Sequence, residues 1–290
     1  MSGVVTLRRR APPAAAEAAR AEVGARRDAD ARHFAWLMRH LARDRFLPAP
    51  PEDGVFVGDG DYRAIGLEFL GHFVTLGGLA RNARVLDVGC GIGRMAVPLT
   101  QYLGDRATYD GFDPVAGGIG WCNETITPAY PRFSFHVLDV AHPLYNPGGA
   151  IAGDSLELPF AAASFDFVAM VSIATHLPPA EVARYLIEIA RVTAPGGRLF
   201  LTAFVMDPTA LAGAEGRDPR CGFLRAGDGP AWHADPAAPL GAVAFDDGFL
   251  EARLAAAGFA LVDRRLGRWR GGAAGHYQDI FVAEKGRAPA

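Results

Sequence analysis

The chain has 290 residues, half of them apolar, which is enough to bury a full core in one domain plus an extension. No apolar run approaches the roughly 18 residues that cross a bilayer, the start lacks the apolar block of a secretory signal, and the three cysteines contain no CxxC pair. A helical membrane protein, a disulfide scaffold and a zinc finger are thereby set aside, a cytoplasmic protein is expected, and the net charge of −3 divides into +5 over residues 1–50 and −8 over the remainder.

Taken in order, residues 1–50 mix acids among ten arginines in a helix-forming composition and predict a basic, helical N-terminal extension with solvated charges. The same balance suits an arm that touches nucleic acid or anionic lipid, and Arg8 to Arg10 in an acid-free first 16 residues match the composition of an organellar transit peptide. PAPPEDG at 48–54 reads as a linker. Beyond it, Ile65, Phe69, Phe73 and Leu76 recur at helical spacing. An alternating βα pattern follows: strands at 84–88, 108–112 and 133–138, helices at about 93–103 and 116–125, a buried strand in SFDFVAMV, a helix over 178–193 and a strand in RLFLTAFV. Residues 206–244 show little periodicity and predict a long excursion over the carboxyl edge of the sheet. A helix ending at Gly258 and two strands, FALVDRRLG and YQDIFVAEK, close the chain. The expected domain thus spans 51–286, with a core at 83–205, an excursion at 206–245 and a closing helix and hairpin at 246–286.

The densest signal is VLDVGCGIGR at 85–94, where Gly89, Gly91 and Gly93 alternate directly after a short apolar strand. Such a turn lets an adenosyl ligand lie against the backbone without meeting a Cβ. A dinucleotide fingerprint places its third glycine or alanine three positions after the second, and Arg94 stands there instead. The resulting G-x-G-x-G suits S-adenosylmethionine better than NAD. Asp113, 24 residues beyond Gly89, follows the second strand at the place where a carboxylate accepts from ribose hydroxyls; the plainer alternative is a surface turn before Pro114.

With Asp87 two positions before the glycines, this stretch resembles the first motif of the class I S-adenosylmethionine-dependent methyltransferases, and the resemblance extends over residues 83–205. It implies a Rossmann-like, doubly wound, seven-stranded, mostly parallel sheet with an antiparallel last strand, and S-adenosylmethionine as cofactor. The implied cofactor site is Asp87, Gly89, Cys90, Gly91, Gly93, Arg94 and Asp113, with Ser172 facing the methionine part. For the adenine amino group, position favours Asp139 directly after the third strand, while the local pattern DSLELPF favours Asp154. Both stay open.

In SIATHLPP, His176 is placed to take a proton from an acceptor, since an in-line methyl transfer needs mainly alignment and a base; a histidine capping a helix start explains it as well. Tyr62, Trp269, Tyr277 and Gln278 are candidates for the acceptor side, as are Trp232, His233 and His276, against the alternative of buried strand residues. The chain has no N-P-P-Y after the fourth strand, no cysteine after a proline, and no acid cluster of the catechol type. A small-molecule acceptor is expected, with sugar or natural-product hydroxyls foremost. An RNA or protein methyltransferase docking through the basic arm, and a non-catalytic cofactor-binding subunit, are the alternatives; no membrane, metal or nucleic-acid partner is expected.

Overall fold

β-branched and aromatic runs bounded by Gly, Pro and Asp form strands, and longer runs with helical spacing form helices. The computed structural model describes residues 30–286 except 45, 52–53, 59, 214–217, 226 and 272–274. The chain divides after residue 45. In the first unit, residues 30–41 form α1; the basic stretch up to residue 29, with the arm read from it, lies outside the described residues.

The second unit carries the remaining elements. Helix α2 (Tyr62–Thr75) is capped by Asp61, whose carboxylate accepts from Ala64 N at 2.7 Å. Then come β1 (Arg84–Val88), α3 (Ala96–Tyr102), β2 (Thr108–Asp113), α4 (Ala116–Thr125), β3 (Phe133–Val137), β4 (Phe165–Met170), α5 (Pro179–Val192) and β5 (Thr193–Met206). The excursion holds α6 (Pro208–Leu211), β6 (Leu224–Arg225), β7 (Ala231–His233) and β8 (Val243–Asp246), and the chain closes with α7 (Phe249–Ala256), β9 (Phe259–Arg265) and β10 (Asp279–Lys285).

Seven strands lie in the order β3-β2-β1-β4-β5-β10-β9, parallel except for β10, which runs antiparallel to both neighbours. The expected sheet is therefore present. Its order reverses between β1 and β4, which opens a crevice at the carboxyl ends of those strands. Alternation along the strands loads both faces. On one, Phe69 and Phe73 of α2 pack against Phe167 of β4 and Phe200 of β5, ring centroids 5.0–6.3 Å apart. On the other, Val168, Leu199 and Leu201 pack with Val182, Leu186 and Ile189 of α5 and Leu250 and Leu254 of α7. No helix among the described residues is long and apolar enough to cross a membrane.

Two elements differ from the sequence reading. The PGG at 195–197 does not end the helix and start a strand; β5 already begins at Thr193, and the glycines make an irregularity where the pairing jumps from Phe165↔Thr193 to Phe167↔Arg198. The excursion is not structureless either. The last residues of β5, Phe204 to Met206, pair with β8, and β8-β7-β6 continue as a small antiparallel patch. Strands of two to four residues are too short to display a period of two.

This junction is held by a buried ion network. Asp279 accepts from Val205 N at 2.9 Å, Gly267 N at 2.6 Å, Trp269 Nε1 at 3.2 Å and Arg270. Arg270 also reaches Asp207 at 2.9 Å, and Asp207 in turn caps α6 through Ala210 N. Removing the guanidinium would leave two buried carboxylates facing each other. Arg270→Ala is expected to lower the unfolding free energy by about 3–5 kcal/mol, read from urea melts of the two proteins at one pH.

Candidate active site

At the carboxyl end of β1 the chain turns through Gly89 and Gly91, whose φ angles of 72° and 57° lie in the left-handed region. Torsion is the firmer demand, since the neighbours in space are the ends of rotatable side chains. A Cβ at 89 would stand 2.1 Å from Ile173 Cδ1, and one at 91 would stand 2.3 Å from Val57 Cγ1. The turn is fastened from β2: Gly89 N and Cys90 N donate to Phe112 O at 2.9 and 3.0 Å, and Gly91 N donates to Asp113 Oδ2 at 2.9 Å. The other oxygen of Asp113 accepts from Val115 N at 2.9 Å. One carboxylate thus bridges the turns that follow two adjacent strands.

Asp87 is buried beneath this turn. Tyr109 OH donates to its Oδ2 at 2.6 Å, while Oδ1 is enclosed and has no hydrogen-bond partner. Burial, offset in part by the Tyr109 hydrogen bond and reinforced by the nearby Asp113 charge, pushes the Asp87 carboxyl up to about 7. Cys90 and Cys122 are buried beside Gly111 and Gly93, and burial pushes the Cys122 thiol up to about 12. Tyr62, a candidate for the acceptor side on an N-terminal helix, stands at the glycine turn: its OH donates to Ile92 O at 2.8 Å. Arg94 lies over the Tyr62 ring and donates to Gly58 O at 3.0 Å, tying residues 57–58 across the turn.

Across the crevice, β4 runs into Ser172, which holds φ 59°, a left-handed conformation uncommon outside glycine. Its N–H donates to Thr202 Oγ1 at 2.8 Å and its hydroxyl to Gln278 Oε1 at 3.0 Å, and Thr202 donates to the same oxygen at 2.6 Å. Gln278, the residue before β10, therefore fixes the end of β4. The next residue is Ile173, whose side chain reaches Gly89, so the short 3₁₀ turn Ala174–His176 is set beside the glycine turn. His176 Nδ1 lies 3.0 Å from Leu240 O, a group that only accepts. The ring proton is thereby placed on Nδ1, and Nε2 is left as the acceptor. Desolvation lowers the His176 pKa below the usual histidine value and keeps the ring neutral.

The insertion after β3 also enters the site. His142 Nε2 donates to His176 O at 2.9 Å, and the Tyr145 ring meets the His176 ring edge-on at 5.5 Å. Tyr145 also senses the Asp113 charge, which, after burial, raises its phenol pKa. Sequence reasoning missed Val57, Ile173, His142 and Tyr145 because no local motif marks a residue whose partner lies some thirty or more positions away.

The remaining candidates are dispersed. Asp139 is exposed and receives Asn146 Nδ2 at 2.8 Å and Ala150 N at 3.2 Å, anchoring the insertion. Asp154 is exposed on the 3₁₀ turn Gly153–Ser155 and is near Glu181, whose pKa its charge helps to raise after burial. Trp269 does not line a pocket: it is fully buried against Phe204 of β5 and Phe223 of the excursion. Tyr277 OH donates to Asp218 at 2.7 Å and touches Cys221, so it also belongs to the excursion. Trp232 donates to Asp246, and His233 bonds to Pro239 O.

Residues 86–201 match the family described as a methyltransferase domain. The chain is 37% identical over 119 residues to a phthiotriol/phenolphthiotriol dimycocerosates methyltransferase of Mycobacterium ulcerans, covering 41% of this chain and 36% of that protein. It is 25% identical over 160 residues to the chloroplastic tocopherol O-methyltransferase of Arabidopsis thaliana, covering 53% and 41%. The chain thus spans less than half the length of these relatives. In fold it resembles the magnesium protoporphyrin IX methyltransferase of Synechocystis crystallised with bound S-adenosylhomocysteine, at a TM-score of 0.50 and 17% identity over 79% of this chain and 90% of that one.

The raised Asp87 carboxyl has a measurable sign. Between its ordinary value near 4 and about 7, the folded protein holds a proton that the unfolded chain has lost, so stability falls as pH rises through that window. Asp87→Asn should flatten this slope and stabilise the ligand-free protein at pH 8, by at most on the order of 4 kcal/mol. Urea unfolding of both proteins at pH 5 and pH 8 measures it.

Proposed function

We propose that this chain, whose residues 86–201 form a class I S-adenosylmethionine-dependent methyltransferase domain, moves the methyl group of that cofactor to an oxygen of an apolar small-molecule acceptor. The observation that carries the reading is His176: its Nδ1–H is fixed on Leu240 O, its Nε2 is an acceptor, and its turn is set against the glycine turn through Ile173.

The residues present fit the cofactor. Asp87 keeps a buried oxygen without a partner beneath the turn, and the left-handed φ angles of Gly89, Gly91 and Gly93 keep the turn bare of Cβ atoms. Each oxygen of Asp113 accepts one backbone N–H, which leaves a lone pair apiece for ribose hydroxyls. Cys90, Gly91, Gly93 and Arg94 form the wall of the same turn. For the adenine end, Asp139 suits better than Asp154, because Leu138 N donates to Asp113 O at 3.2 Å and so sets residue 139 beside the ribose position. When bound, S-adenosylmethionine supplies an electrophilic methyl on a sulfonium.

The protein's own role is alignment and proton removal. Nε2 of His176 accepts the hydroxyl proton, and the Leu240 carbonyl steadies the imidazolium that results. Tyr145 and Leu144, 40% and 52% exposed, offer an apolar bank beside the base, which favours a hydrophobic acceptor over a sugar. The tocopherol O-methyltransferase among the relatives is named for an oxygen acceptor, in keeping with this choice. Cys90 and Cys122 are buried as thiols, a state suited to the reducing cytoplasm.

Two measurements test the reading. Asp113→Ala should weaken S-adenosylhomocysteine binding at least 10-fold by calorimetry while leaving the fold intact by circular dichroism. With a phenolic acceptor, His176→Gln should lower kcat by about 10²–10⁴ without changing cofactor affinity. Because burial lowers the His176 pKa, the wild-type acid limb should fall below pH 6.5. A loss of only a few-fold would remove His176 as the base.

A further inference from the structure

Away from this crevice, three side chains with metal-binding donors converge. Glu68 and His72 are one turn apart on the same face of α2, and His276 comes from the segment entering β10, 208 residues beyond Glu68. Glu68 Oε1 lies 2.8 Å from His276 Nδ1 and 3.5 Å from His72 Nε2, and the three donor atoms fall within 4.8 Å of one another. His72 Nε2 is enclosed and has no hydrogen-bond partner. Around a tetrahedral zinc ion with bonds of about 2.0–2.1 Å, ligand atoms are separated by roughly 3.4 Å. The Glu68 to His72 spacing already matches, and the other two adjust by side-chain rotation.

We infer that Glu68, His72 and His276 form a binding site for a divalent transition-metal ion of the zinc class, which fastens α2 to the segment leading into β10. Two imidazoles and a carboxylate are the borderline donor set such ions take, and calcium or magnesium would demand more oxygens. The rings are held in place: His276 packs on Phe69 with centroids 4.6 Å apart, and the Phe69 ring meets His72 at 6.1 Å. On binding, Nδ1 of His276 gives up its contact with Glu68 and its lone pair goes to the metal, while the ring proton moves to Nε2, so the imidazole stays neutral. Glu68 is 41% exposed, which leaves the fourth position to water. The site is two residues from Gln278, whose carboxamide fixes Ser172, so the ion would stiffen the same sheet edge that carries the end of β4.

The test uses the full, untagged chain after chelator treatment. Zinc chloride titrated by calorimetry should bind at one ion per chain, and cobalt(II) should develop visible absorption bands. Saturating zinc should raise the melting midpoint by about 5–10 °C. His72→Ala and Glu68→Gln, both at partly exposed positions, should each weaken uptake at least 10-fold, as should His276→Ala, whereas His233→Ala, a half-buried histidine of β7, should bind as the wild type does. Absence of uptake by the wild type, or unchanged affinity in His72→Ala and His276→Ala, overturns the site and leaves a Glu68–His276 ion pair only. Neither result depends on methyl transfer.

Discussion

The carboxylate of Asp113 is the fastening on which the crevice depends. Parallel strands β1 and β2 end side by side, and each must release its chain into a turn whose N–H groups have left the ladder. Asp113 takes one N–H from each turn, Gly91 and Val115, so both turns are fixed by one side chain. Its desolvation is a share of the cost, and burial raises its pKa despite those two bonds. Everything above the sheet inherits this geometry: Ile92 offers its carbonyl to Tyr62, Arg94 reaches Gly58, and Ile173 settles against Gly89.

The opposite bank is organised by β5, a strand of 14 residues that serves two sheets. Its earlier residues pair with β4 and β10, and its last three pair with β8 of the excursion. A strand used in this way brings charged groups inward where the sheets diverge, and Asp279, Arg270 and Asp207 neutralise one another there. Leu240, whose carbonyl accepts from His176 Nδ1, belongs to the excursion, so the position of this ring depends on a segment far from it in sequence.

The features legible in the sequence are those whose cause is local. A glycine run after an apolar strand, an acid after the next strand and a Pro-initiated amphipathic α5 each carry their explanation within about ten residues, and each stands where it was expected. What stays illegible is set by distance along the chain. Strands β6 to β8 are too short to show alternation; Trp269 looks like a pocket aromatic until Phe204 and Phe223 enclose it; and the inserted loop separates Asp139 from Asp154, both exposed, so that no local pattern ranks them. Tyr62 lies near the expected region but on a different partner, because its hydrogen bond to Ile92 spans 30 residues.

Val57 and Ile173 give the glycine turn an outer coat of hydrocarbon, and Phe56 packs toward Gly118 beside it. Both contacts are made by the ends of rotatable side chains, Val57 Cγ1 and Ile173 Cδ1, so room against the turn can be made by rotamer changes, with β1, β4 and the glycine backbone left in place.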